Sequence, residues 1–80
     1  MAHFKKPMHE AMLVANTAAD MCRAHDLPAA AVGQVFRDIF SGNLPKQYAA
    51  AAVKTAELSM ALPQRDAHRL FENLQREMDS

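Results

Sequence analysis

Residues 26–45 read DLPAAAVGQVFRDIFSGNLP, and this stretch decides the fold. It opens on Leu27-Pro28 and closes on Leu44-Pro45, and each pair follows a residue type that caps helices well, Asp26 and Asn43. Proline fixes φ and lacks an N–H, so it suits the first turn of a helix, where that N–H has no partner anyway. Between the prolines, Val32, Val35, Phe36, Ile39 and Phe40 recur every three or four positions, the period of a helix with one buried face. Gly42 stands where such a helix ends. Gly33 lies near Phe40 and Ala29 on this helix, where a missing side chain lets another helix come close.

The same punctuation extends outward. Leu62-Pro63 repeats the dipeptide 18 residues after Pro45, which is itself 17 after Pro28, and Pro7 opens the chain's first periodic segment. The leucines are placed to pack back onto the first turns as hydrophobic staples. The spacing predicts helices over 8–25, 28–41, 45–61 and 64–78, with no strand. The expected fold is all-α: a compact bundle of four short helices, dimeric, forming one domain over 1–80 with 1–6 as a flexible N-terminus.

Composition limits how well this bundle can hide itself. The chain has 80 residues, and half are hydrophobic, but sixteen of those are alanine. An alanine buries one methyl, so the burial per residue falls below what the percentage suggests. A domain this short also buries only ~60% of its unfolded surface. Both arguments favour pairing with a second copy or a partner.

Nine basic residues balance nine acidic ones, which disfavours a generic polyanion binder. The single cysteine, Cys22, allows no internal disulfide and fits a reducing compartment. The start, Met1 to Pro7, has charge without an apolar run behind it, and no stretch of ~20 apolar residues occurs. These features predict a cytoplasmic protein with no membrane association.

The first helix has an apolar face of Met8, Ala11, Met12, Ala15, Ala18, Ala19 and Cys22, with His9, Asn16, Asp20 and Arg23 opposite. The third is apolar around most of its girth, through Tyr48, Ala49, Ala52, Val53, Ala56 and Met60 and then Ala51, Leu58 and Leu62, which predicts a central position. The fourth has a narrow stripe of Ala67, Leu70, Phe71, Leu74 and Met78 and is expected at the periphery. Val32, Val35, Phe36, Ile39, Phe40, Ala52, Ala56, Met60, Leu70, Phe71 and Leu74 form the expected core.

Little in the sequence carries chemistry. Cys22 and His25, three apart, share a helix face as metal ligands can, but His9 lies roughly 20 Å away along the axis at ~1.5 Å per residue. Only a two-fold pairing of Cys22/His25 with its copy could complete a zinc site. No phosphate-cradling loop, nucleophile elbow or telling carboxylate pair is present, so no catalytic residue, cofactor or metal is expected.

Two binding readings remain. The last helix carries Gln64, Arg65, His68, Arg69, Asn73 and Arg76, and Arg65, Arg69 and Arg76 fall in one narrow arc. With the third helix it could form a helix-turn-helix unit; the earlier pair exposes Ala30, Gln34, Arg37 and Asp38, a poorer set of base readers. The run Arg65 to Met78 resembles the reading helix of LuxR-type regulators in Arg65, Asn73-Leu74, Arg76 and Met78. Glu57 departs from that pattern, where a small buried residue is expected. The resemblance implies DNA binding through Arg65, His68, Arg69 and Arg76. Against it, Glu72 and Asp66 lie three or four residues from these arginines, as in solvated ion-paired helix faces.

Association through helices is the leading reading. Leu13 and Ala24 interrupt the polar side of the first helix, and Met8, Met12 and Met21 add pliable contact area. The expected function is that of a small non-catalytic interaction or regulatory protein, paired with itself or a protein partner. Its contact surface is expected at Leu13, Met21, Leu58 and Phe71.

Overall fold

The computed structural model describes residues 6–40, 42 and 44–79, and among these the regular structure is helical throughout. Helix α1 spans Lys6–Ala24, a short 3-10 turn at Ala29–Ala31 leads into α2 at Val32–Ile39, α3 spans Lys46–Ser59 and α4 spans Gln64–Asp79. The four predicted segments are present, with ends shifted by a few residues. Residues 1–5 of the expected flexible terminus lie outside the described residues, and Lys6 already belongs to α1.

Three of the four prolines act one step earlier than the sequence suggests, whereas Pro7 lies in the first turn of α1. Pro28 and Pro45 are the residues before their helices, with no side-chain cap, and their carbonyls accept the first helical N–H groups: Ala31 to Pro28 at 2.9 Å, Tyr48 to Pro45 at 3.0 Å. The Pro63 carbonyl serves α4 in the same way, from Ala67 at 3.0 Å. Asp26 therefore caps nothing downstream. It closes α1, in the left-handed region at φ 56°. The Leu27 N–H donates to the Cys22 carbonyl at 2.8 Å and the Asp26 N–H to the Arg23 carbonyl at 3.2 Å, the bond pair of a Schellman stop. Residues with a Cβ are strained there, and a negative charge at a helix C-terminus adds to the cost. Asp26→Gly is accordingly expected to raise stability by about 1 kcal/mol, read as a higher urea midpoint at unchanged m.

Two other punctuation marks read differently in three dimensions. Helix α2 stops at Ile39 because Phe40 turns extended, at φ −93° and ψ 115°, and stacks its ring on Phe36 with centroids 5.6 Å apart. Gly42 adopts no positive φ and lies under the Phe40 ring instead of capping the helix. Gly33 faces α3, where an added Cβ would meet Val53 Cγ1 at an ordinary 3.5 Å, so the approach of α2 and α3 does not depend on it. Of the expected staples, Leu44 packs against the core, whereas Leu27 and Leu62 are exposed.

The central helix is α1, not α3. It packs against α2, α3 and α4, while α2 and α3 also pack against each other and α4 meets the bundle chiefly through α1. The apolar girth of α3 is mostly alanine, and a methyl left in water costs little; Ala50, Ala51 and Leu58 are exposed. The core is built from Ala11, Ala15, Ala18, Ala19, Cys22, Ala52 and Ala56, all fully buried, with Met12, Val32, Phe36 and Phe71 as its larger members. Val35, Phe40, Met60 and Leu74 pack on it partly exposed. Leu70 is only half-buried, outside this cluster, and Ile39 is 39% exposed at the end of α2, overhanging the edge of α1.

Candidate functional site

The side of α1 left open between α2 and α4 carries Leu13, Thr17, Met21 and Ala24. All four are exposed, and they lie on one line of the helix because their spacings are four, four and three residues. Leu13 is 56% exposed and Met21 37%. A depression of about 160 Å³ beside the stripe is lined by Leu13, Val14, Thr17 and Ile39, so the overhanging end of α2 widens the apolar surface. On the other side Leu13 borders a cleft of about 180 Å³ against α4, with Met12, Asn16, His68, Phe71, Glu72 and Gln75.

Of the four expected contact residues, the structure brings Leu13 and Met21 onto this one face. Leu58, 64% exposed, lies on the outer face of α3. Phe71 is corrected: at 2% exposure it is a core residue of the α1–α4 seam and offers no free surface. Its place in the stripe with Ala67 and Leu74 indicated as much. Ile39 is the residue that sequence reasoning missed, because its helical period put it with Val32, Val35 and Phe36. Only the extended Phe40, which ends the helix, leaves it at the rim.

A polar cluster ties the helix ends together at the C-terminal half of α1. Asp20 accepts from Arg23 Nη1 at 3.1 Å and from Gln64 Nε2 at 3.1 Å, and His68 Nε2 lies 2.8 Å from its Oδ2. Arg23 Nη2 donates to the Ser59 carbonyl at 2.8 Å, a second bond to an acceptor that already takes the Leu62 N–H at 3.0 Å at the end of α3. The buried Ser59 hydroxyl donates to the Ala56 carbonyl at 2.7 Å. One carboxylate thus holds the start of α4, while its arginine neighbour holds the end of α3.

This cluster changes the reading of the basic helix. His68 is turned toward α1 and engaged by Asp20, so it does not belong with the outward-facing base readers. Arg65, Arg69 and Arg76 are exposed on the face of α4 away from Ala67 and Phe71, within roughly 40° of one another at 100° per residue. Glu72 lies roughly 20° beyond one edge of that arc. The expected pairs of these arginines with Asp66 and Glu72 do not form, whereas Asp20 pairs with Arg23 and with His68.

Cys22 is fully buried and His25 exposed, so a zinc site shared with a second copy has no reachable thiol. Burial pushes the Cys22 thiol above its ordinary range, against a smaller opposing pull from the Arg23 guanidinium. Among the described residues no group of three or more His, Cys, Asp or Glu side chains is placed to hold a metal ion, and no helix is long and apolar enough to cross a membrane.

No protein-family model matches the chain, and neither a curated protein nor a solved structure shows significant similarity to it.

Proposed function

We propose that the chain is a small non-catalytic interaction protein that pairs with a second copy, or with a protein partner, through the outer face of α1. The observation that carries this reading is the uncharged stripe Leu13, Thr17, Met21 and Ala24, on the one helix that every other helix packs against. The central element of a bundle is normally covered; here one side of it is left apolar and open. Leu13 and Met21 are two turns apart, roughly 12 Å along the axis, with the smaller Thr17 midway. An antiparallel copy centred on Thr17 would set Leu13 of one molecule opposite Met21 of the other, an isologous arrangement. The adjoining Ile39 would add apolar area at the rim.

Sedimentation velocity over a wide concentration range tests this. A concentration-dependent dimer is expected, and Leu13→Lys or Met21→Lys should shift it to monomer while leaving helicity and the urea midpoint nearly unchanged. Each places an uncompensated charge in the contact, which should weaken association at least about tenfold. A chain that stays monomeric at high concentration and retains no partner on the unmodified face removes the reading.

A second reading keeps DNA as the partner, favoured by the exposed and unpaired Arg65, Arg69 and Arg76. It calls for salt-sensitive binding to mixed-sequence duplex that Arg65→Ala and Arg69→Ala weaken and Leu13→Lys leaves alone.

A further inference from the structure

The cleft of about 180 Å³ between α1 and α4 has a base of Met12 and Phe71, each 2% exposed, with Leu13 as its apolar rim. Its other lining is polar. Among the described residues that line it, Glu72 is the one carboxylate, and none is a lysine or arginine. His68 is held there by Asp20, whose oxygens are already taken by Arg23 and Gln64 as well. Glu72 is exposed and forms none of its expected pairs with Arg69 and Arg76, so its charge is left to the cleft. Two amide oxygens stand near it, on Gln75 and Asn16, and Asn16 Oδ1 is buried without a hydrogen-bond partner. An acceptor withdrawn from water with nothing in return costs free energy, and a donor brought to it relieves that cost.

From these features we propose that the cleft binds a primary ammonium group on a short apolar stem. An ammonium is compact and carries three donors. These match the Glu72 carboxylate and the amide oxygens of Asn16 and Gln75, while the stem lies on Met12 and Phe71. Glu72 disfavours an anion, and a purely apolar ligand leaves Asn16 unpaired. The cleft is smaller than the ~300–1,000 Å³ of sites for drug-sized molecules. The stem is therefore only a few carbons long, as in a lysine side chain or a small free alkylamine. This site lies on the α4 side of Leu13 and does not require α1 to pair with anything.

Titration of the full chain with n-butylammonium chloride at fixed ionic strength, followed by NMR, tests this. Saturable shifts are expected at the Met12 methyl and at the side-chain amides of Asn16 and Gln75, with Kd on the order of millimolar. Glu72→Gln should weaken binding about three- to fivefold, the range of an exposed charge pair. Glu57→Gln on α3, the same charge change away from the cleft, should leave it unchanged. Met21→Lys, expected to abolish pairing through α1, should bind as the parent does, so failure of the dimer and failure of this site are read separately. Nα-acetyl-lysine amide is the second arm. Binding as tight as that of butylammonium assigns the cleft to a lysine of a protein partner, and exclusion assigns it to a free amine. The proposal is overturned if the shifts rise without saturating, if n-butanol produces them equally, or if Glu72→Gln binds as well as the parent.

Discussion

Replacing Phe36 with alanine is expected to cost about 3–5 kcal/mol and to leave much of the chain unfolded in mild urea. Phe36 is one of few large side chains in a core made mostly of methyl groups, 4% exposed and stacked on Phe40. Its removal opens a void that neighbouring alanines have no length to fill. Stability near 0.05–0.15 kcal/mol per residue gives an 80-residue chain roughly 4–12 kcal/mol in all. One ring therefore carries a large share. Urea unfolding followed by circular dichroism should show the midpoint collapsing; a midpoint that moves by less than about 1 kcal/mol equivalent would mean the core is organised elsewhere.

The opposite change, adding volume, should be nearly as damaging on α1. Ala15 is fully buried together with Ala11, Ala18, Ala19 and Cys22, on the helix that touches all the others. Ala15→Leu adds three carbons where backbones approach closely because only methyls intervene, and about 1–3 kcal/mol of destabilisation is expected. For a chain of this length that lowers Tm by roughly 4–8 °C per kcal/mol. Ala50→Leu, on the exposed side of α3, is the control and should stay within about 0.5 kcal/mol of the parent. A Tm equally tolerant of both would show that α1 is not tightly enclosed.

These two residues mark what separates the readable from the unreadable here. The stripe of α2 and its Leu-Pro flanks made Phe36 legible as core, because period and proline both act locally. Alanine is different. Its methyl adds to hydrophobicity whether buried or exposed, so periodicity placed α3 at the centre although its Ala50–Ala51 side faces solvent. The same ambiguity hid α1, whose buried face is also largely alanine and is distinguished only by having neighbours on three sides.

The candidate site divides in the same way. Leu13 and Met21 could be picked out as apolar residues away from the alanine face of α1. Ile39 could not, because a helix stripe does not reveal that Phe40 turns extended and leaves the preceding residue overhanging. His68 sits in a basic sequence neighbourhood, and only the antiparallel seam of α4 against α1 brings it to Asp20 across 48 positions of chain. Asp26 and Asn43 looked alike as caps, but Asp26 ends the helix before it, since a left-handed stop and an N-cap favour the same small polar side chains.

By itself the sequence determined that the chain is helical, where its segments begin, and that large apolar side chains are too few to enclose it richly. These follow from proline stereochemistry, helical period and composition, all of which act within a few residues. Only the tertiary structure decided which helix is central, which faces stay open, and that Asp20 and its neighbour Arg23 together tie the start of α4 and the end of α3 to α1. Those outcomes depend on how side chains distant in sequence share volume and hydrogen bonds, and nothing local to any one segment fixes them.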